Sequence, residues 1–158
     1  MSDKIKVISS FNGRCGIDSN ELRISRRWDK CGAVNTFTKD QLEELMFVPA
    51  FRNMVNEGIL YIENMEVKKE LGVEPEDAVE PTLILLDAKE QERLWKLVPF
   101  SQFKLETKKL TRQQLNTLAE YAIRHGDEGS IEKANYLSTI TDYKVLKGIE
   151  LEKANKEE

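Results

Sequence analysis

Cysteine and histidine have the greatest capacity for chemistry in this chain, which contains only Cys15, Cys31 and His125 of these types. Cys15 lies in the stretch NGRCG, between two glycines and beside Arg14. A neighbouring cation and exposed backbone amides lower the pKa of a thiol, so Cys15 is the candidate nucleophile of the chain. The alternative, which we favour, is an ordinary loop thiol. The stretch leads into a strand pattern without a following lysine, and it therefore fails the test for a phosphate-binding loop.

His125 is predicted at the C-terminal end of a helix, where the helix dipole favours a cation. A catalytic base needs a nucleophile or an orienting carboxylate held beside it. Asp127 and Glu128 follow His125, but adjacency in a turn does not by itself make a site. Two cysteines without a Cys-x-x-Cys pair, together with one histidine, do not predict a zinc site of ordinary spacing. We therefore expect no catalytic residue, no metal, no cofactor and no small-molecule ligand, and the prediction is that the protein is not an enzyme.

Charge is distributed unevenly along the 158 residues, whose net charge is -4. Residues 14–39 contain six basic and three acidic side chains, whereas residues 63–80 contain seven acidic side chains against Lys68 and Lys69. A basic strand face could meet phosphates or the acidic segment of a neighbouring copy. The negative net charge favours the second alternative and makes nucleic acid an unexpected ligand. A winged-helix-like nucleic-acid reader is the rival, but its recognition helix over 49–57 would contain only one basic residue, Arg52.

Alternating apolar residues predict strands over Lys4–Phe11 and Glu21–Trp28, with a loop over Asn12–Asn20 between them. Shorter strands are predicted over Ala33–Phe37 and Ile59–Ile62. Two short helices between the last two strands begin at a capping box, Thr38 with Gln41, and at Pro49. Gly58 and Gly72 are placed to end helices. This mixture predicts an α+β fold, in which a small, mostly antiparallel sheet with short helices precedes a helical C-terminal part.

The sequence predicts an α+β domain over 1–72, an acidic linker and connecting segment over 73–107, and a helical region over 108–158. A second capping box, Thr111 with Gln114, begins a strongly amphipathic helix. The N-terminus lacks an apolar signal region, and no apolar run approaches the roughly 20 residues of a membrane helix. A soluble protein made in the cytoplasm, with no membrane partner, is therefore expected.

Chains without a ligand site generally act through their surfaces. Arg23 and Arg27 are predicted to share the wet face of one strand, with Arg26 on the other face. The C-terminal helices have narrow apolar stripes that bury little alone, so docking on the N-terminal domain or on a partner is expected. The predicted partner-binding residues are Arg23, Arg27, Trp28, Leu115, Leu118, Ile123, Leu146 and Ile149.

Three stretches, SSFNGRCGI, RISRRWDKCGA and LEELMFVPAFRNMVNEGILYIENMEVKKELG, together resemble small virion structural proteins of tailed bacteriophages. The resemblance covers residues 5–72 and extends more loosely to the helical end. It implies a non-enzymatic capsid, connector or tail component that is located in the virion, is made in the host cytoplasm and binds other virion proteins or copies of itself. A cytosolic regulatory protein that binds one protein partner as a monomer is the alternative function.

Overall fold

The strand Ile5–Ser9 (β1) is the centre of a three-stranded antiparallel sheet, in which it pairs with Val34–Phe37 (β4) on one side and Leu60–Ile62 (β5) on the other. The computed structural model describes residues 4–79 and 83–157, and it divides the chain into two compact units, Met1–Asp87 and Ala88–Glu158. The described strands of the first unit are β1 (Ile5–Ser9), β2 (Cys15–Ser19), β3 (Ile24–Trp28), β4 (Val34–Phe37) and β5 (Leu60–Ile62), and its helices are α1 (Lys39–Leu45), α2 (Pro49–Asn56) and α3 (Met65–Glu70).

The β2 and β3 strands form a separate antiparallel hairpin. The prediction of a loop over Asn12–Asn20 was wrong for Cys15–Ser19, and the predicted strand from Glu21 begins only at Ile24, after a turn. Ile17 is the only completely inward residue of β2, so this strand lacks the repeated apolar alternation that would have identified it. Pairing with β3, rather than local pattern, decides that β2 is a strand.

Aromatic side chains fill the core of the first unit. Trp28 stacks on Phe37 with ring centroids 6.1 Å apart, and Phe51 meets Phe37 edge-on at 6.3 Å. All three side chains are buried, and the indole Nε1 of Trp28 donates a hydrogen bond of 2.9 Å to the carbonyl of Val7. This bond satisfies the polar atom of a buried ring and attaches β3 to β1. The hairpin is therefore fixed to the three-stranded sheet through its inner face.

The short helices begin and end as the local sequence predicts. Thr38 accepts from the backbone of Gln41 at 3.2 Å, while the Gln41 side chain accepts from the Thr38 backbone at 2.9 Å, which confirms the capping box. Pro49 begins α2, and Gly58 follows that helix with a positive φ of 77°. After α3, residues 73–79 and 83–87 form neither helix nor strand. Part of the ambiguous apolar run Thr82–Leu86 lies outside the described residues, and its described part is irregular.

The second unit is helical, and the α+β class is confirmed by short antiparallel sheets followed by a helical C-terminal half. Its elements are α4 (Ala88–Glu92), a π-helical turn (Arg93–Leu97), α5 (Phe100–Thr107), α6 (Arg112–Arg124), a 3-10 turn (Gly126–Glu128), α7 (Ile131–Ile140) and α8 (Val145–Glu157). The predicted connecting segment over 73–107 extends into this unit, which begins at Ala88.

Two glycines allow α8 to approach α6 and the 3-10 turn closely. A Cβ added to Gly148 of α8 would stand 2.9 Å from the side chain of Ile123 on α6. A Cβ added to Gly126 would stand 2.3 Å from the side chain of Ile149. Because glycine has no side chain, these segments approach closely and pack their apolar faces against each other. The C-terminal helices therefore find apolar partners within their own unit.

Candidate interaction surface

The antiparallel register of the hairpin sorts its side chains between the core and the solvent. Cys15 pairs with Trp28, Gly16 with Arg27, and Ile17 with Arg26. Facing residues of an antiparallel pair project to the same side, and successive residues alternate. Trp28 is completely buried, whereas Arg27 is exposed on the opposite face. The outer face of the hairpin is therefore the side that a partner can reach.

A shallow notch of about 270 Å³ on the hairpin is lined by Arg14, Cys15, Gly16 and Arg27. Gly16 leaves the space opposite Arg27 free of a side chain. A Cβ built on Gly16 would stand 2.9 Å from the Arg26 carbonyl oxygen and 3.4 Å from Cγ of Arg27. The notch is thus lined by two exposed guanidinium side chains and by the backbone at Gly16. Arg27 is among the contact residues that the sequence predicts, whereas Arg14 is not, although its spacing of two residues from Gly16 continues the alternation of β2.

The other arginines of the hairpin occupy different environments. Arg23 lies in the turn before β3, with a positive φ of 56°, and its side chain is exposed. It is therefore not on the strand face where the sequence analysis placed it together with Arg27. Arg26 is half-buried, and its guanidinium carbon lies 5.6 Å from the ring centroid of Phe37. This inward position confirms the predicted separation of Arg26 from Arg27.

Four exposed cations of the hairpin region, Arg14, Arg23, Arg27 and Lys30, form what we term the basic hairpin surface. Within residues 4–79 and 83–157, none of the four forms an ion pair. Exposed ion pairs contribute only about 0–1 kcal/mol, so leaving these cations unpaired costs the fold little. The same stretch also exposes three acidic residues, Asp18, Glu21 and Asp29. Four exposed cations against three exposed acids leave this stretch with an exposed excess of one positive charge.

The acidic stretch after β5 is only partly available on the surface. Glu74 is buried and accepts a hydrogen bond of 3.3 Å from the backbone of Leu83. Glu70 forms an ion pair with Lys39, which removes that lysine from the basic excess of residues 14–39. Glu80 lies outside the described residues. The exposed acids that form no ion pair within the described part of the chain are Glu63, Glu66, Glu76 and Asp77, which we term the acidic surface.

The Cys15 thiol is not in the activating environment that its sequence neighbours suggested. Burial raises the pKa of Cys15, and the hydroxyl of Ser9, 3.7 Å from Sγ, lowers it by less. Arg14 does not contribute to the shift of this pKa. A thiol with a raised pKa is largely protonated at neutral pH and is a weak nucleophile. Cys15 is therefore a neutral thiol beside Ser9 and not an activated nucleophile.

Three of the predicted contact residues are in the cores of their units. Trp28 is 0% exposed, Leu118 is 0% exposed and Ile149 is 6% exposed. A side chain that is already packed cannot meet a partner without unfolding its surroundings, so these three predictions are corrected. Amphipathic periodicity identified the apolar faces, but it could not show that each face packs within the chain. The remaining predicted apolar contacts, Leu115, Ile123 and Leu146, are half-buried.

His125 belongs to a surface cluster with Glu128, Lys96 and Tyr121 that the sequence spacing alone does not predict. His125 Nδ1 lies 3.0 Å from the Glu128 carboxylate, and Lys96 Nζ lies 3.0 Å from the same group. The ring of Tyr121 stacks on His125 with centroids 4.2 Å apart. The amine of Lys96, and to a smaller extent His125, lowers the pKa of Glu128. The carboxylate is engaged by two basic groups, so the arrangement is that of a surface ion-pair cluster.

A buried lysine supports the π-helical turn of the second unit. Lys133 is 4% exposed, and its Nζ donates hydrogen bonds to the carbonyls of Leu94 at 2.8 Å and Trp95 at 2.9 Å. The amine also lies 5.2 Å from the ring centroid of Phe103. Burial lowers the pKa of Lys133. The side chain thus satisfies carbonyls at an irregular helix end, which is a structural role.

Comparisons of the whole chain with protein-family models, with curated proteins and with solved structures give no significant match. Among the described residues, His, Cys, Asp and Glu side chains form no group of three or more that could hold a metal ion. None of the helices in the described ranges has both the length and the apolar character that crossing a membrane requires. The basic hairpin surface and the acidic surface are therefore the features on which a functional proposal can rest.

Proposed function

We propose that this chain is a non-enzymatic interaction protein that works in a multi-copy assembly, and that the assembly is the virion of a tailed bacteriophage. The observation that carries the proposal is the pair of unpartnered charged surfaces on the first unit. The basic hairpin surface and the acidic surface are both exposed, and neither is neutralised by ion pairs within the described residues. Opposite surfaces on one chain suit head-to-tail contacts between copies, which generate rings or filaments.

The placement of the reactive side chains supports a binding role over catalysis. The Cys15 pKa is raised by burial, and its hydrogen-bonding partner is the hydroxyl of Ser9. His125 lies on the second unit, where it is engaged by Glu128. An activated nucleophile needs a base beside it. The virion part of the proposal is supported by the resemblance of residues 5–72 to virion structural proteins.

A charge-exchange experiment tests the head-to-tail contact. One variant carries Arg14→Glu and Arg27→Glu, and the other carries Glu63→Lys and Glu66→Lys. In sedimentation velocity at low salt, the wild type is expected to self-associate, while each variant alone stays monomeric because like charges now face each other. An equimolar mixture of the two variants is expected to associate again, because each supplies the surface that the other has lost.

The matched control reverses two exposed cations on the second unit, Lys108→Glu and Lys109→Glu. This variant has the same change in net charge as the hairpin variant, so it is expected to associate as the wild type does. A wild-type chain that is strictly monomeric at high concentration and is absent from purified particles by mass spectrometry would end the assembly proposal. Tight, salt-sensitive binding to duplex DNA that is lost on Arg52→Ala would instead support the winged-helix rival.

A further inference from the structure

We propose that the notch between Arg14 and Arg27 is a carboxylate-binding subsite that receives one aspartate or glutamate side chain from the acidic surface of a second copy of this chain. The inference rests on the proposed function and deepens it. Head-to-tail assembly requires only complementary charge. The present inference is more specific, because it places the contact at Arg14 and Arg27, on either side of Gly16.

The shape of the notch suits a small anionic group. Its volume of about 270 Å³ is large enough to admit a carboxylate side chain. Arginine presents its N–H donors in a planar fork that matches a carboxylate, so two arginines can share one carboxylate through several charge-assisted hydrogen bonds. A side chain at position 16 would lie beside Arg27, since its Cβ would be in van der Waals contact with Cγ of Arg27 at 3.4 Å. Gly16 therefore keeps the approach to Arg27 open.

The electrostatic state of the notch favours an incoming anion. Neither Arg14 nor Arg27 has a carboxylate partner within the described residues, so binding displaces no internal ion pair. Cys15 adds no charge to the lining, because burial raises the pKa of its thiol, which lies 3.7 Å from the Ser9 hydroxyl. Asp18 is exposed on the same outer face, two residues from Gly16, but it does not line the notch. The lining of the notch therefore contains two cations and no acid.

The chain itself supplies the complementary group. Glu63, Glu66, Glu76 and Asp77 remain exposed and unpaired on the same unit, whereas Glu70 is paired with Lys39 and Glu74 is buried. A surface that binds its complement on another copy makes a heterologous contact, and such contacts repeat from copy to copy. The proposed occupant is therefore a carboxylate of the acidic surface of a second copy.

Three single variants with the same charge change test the subsite: Arg14→Gln, Arg27→Gln and the control Arg23→Gln. Arg23 belongs to the basic hairpin surface but does not line the notch. We expect Arg14→Gln and Arg27→Gln each to weaken self-association about tenfold in sedimentation equilibrium, the effect of losing a charge-assisted hydrogen bond. Arg23→Gln is expected to change it less than about twofold, as an exposed rim charge does. Arg27→Lys, which keeps the charge and loses the fork, is expected to fall between them.

The outcomes separate the subsite from the proposed function. Equal weakening by all three glutamine variants would show that only general charge matters, which would overturn the notch and leave head-to-tail assembly intact. A wild-type chain that never associates would overturn the proposed function, and the subsite with it. Unchanged circular dichroism and thermal midpoint in each variant exclude misfolding. Combining Arg27→Gln with a glutamine or asparagine substitution at each acid in turn should show non-additive weakening for the acid that occupies the notch.

Discussion

Gly129 lies directly against the indole ring of Trp95, so that a Cβ placed on Gly129 would stand 2.1 Å from Cε2 of the ring. Trp95 is completely buried, and its Nε1 donates a hydrogen bond of 2.7 Å to the carbonyl of His125. One aromatic side chain of the π-helical turn thus meets both ends of the segment that joins α6 to α7. This contact organises the second unit in a way that no sequence motif indicates.

Gly129→Ala is expected to destabilise the protein by about 1–3 kcal/mol, the usual cost of forcing an extra methyl group into a packed core. The backbone at Gly129 is extended, with φ of -117°, so the cost is steric and does not come from backbone strain. Chemical denaturation monitored by tryptophan fluorescence measures the free energy of unfolding. Asn135→Ala on the exposed face of α7 is the control and should change it by less than about 0.5 kcal/mol. An unchanged free energy of unfolding in Gly129→Ala would show that the Trp95 ring is not held in this position.

Lys133→Met keeps the length of the side chain and removes its amine, which leaves the carbonyls of Leu94 and Trp95 without this donor. We expect a loss of about 1–3 kcal/mol in the free energy of unfolding, the cost of unsatisfied buried acceptors. Lys147→Met on the exposed side of α8 is the matched control, and it should be close to neutral. A more stable Lys133→Met variant would mean that desolvation of the ammonium outweighs its two hydrogen bonds.

The stability that Lys133 contributes should also depend on pH. Burial lowers the pKa of Lys133 in the folded chain, so the unfolded chain binds more protons between that lowered value and the ordinary lysine value of about 10.4. The contribution is therefore fully present above the unfolded pKa and is lost as pH falls through the folded pKa. A neutral amine still has two N–H donors and keeps both hydrogen bonds. The difference in unfolding free energy between wild type and Lys133→Met should rise toward pH 10, and a falling difference would contradict the sign.

Cys15 should react with iodoacetamide more slowly than free cysteine at neutral pH, because burial raises the pKa of its thiol and reduces the thiolate fraction. The rate is measured by mass spectrometry in a Cys31→Ser background, so that only one thiol is labelled. The same protein unfolded in denaturant is the control, and it should react at the rate of free cysteine. Reaction faster than free cysteine in the folded chain would revive the thiol-enzyme alternative.

The Glu128 carboxyl should titrate below the ordinary glutamate range, because the Lys96 amine and, to a smaller extent, His125 lower its pKa. Carbon-13 NMR of the side-chain carboxyl measures this directly. Lys96→Met is expected to bring the pKa of Glu128 back toward its ordinary value more completely than His125→Asn does. A depressed carboxyl pKa gives a contribution to stability that is present above the unfolded pKa and is lost as pH falls through the folded value. An unchanged titration in Lys96→Met would show that this ion pair does not persist in solution.

Local signals in the sequence determined the beginnings and ends of several helices. The capping boxes Thr38 with Gln41 and Thr111 with Gln114 are both present, and Pro49 begins a helix as expected. These features were predictable because their interactions join residues within about four positions of one another. The α+β class followed from the same local periodicities. Helix α5 and the assignment of residues 88–107 to the second unit did not, because Phe103 and its neighbours lack a strong amphipathic repeat.

Tertiary structure alone decided which faces are buried and which charges remain free. Cys15–Ser19 became a strand because it pairs with β3, and Trp28, Leu118 and Ile149 became core because other elements of their own units cover them. The notch exists because the register places Gly16 opposite Arg27, a relationship between positions 11 residues apart that composition does not encode. Periodicity describes one element at a time, whereas burial and pairing are set by contacts between elements. For this chain the sequence therefore determined which segments are apolar, basic or acidic. The packing of distant segments determined which of their side chains are buried and which are exposed.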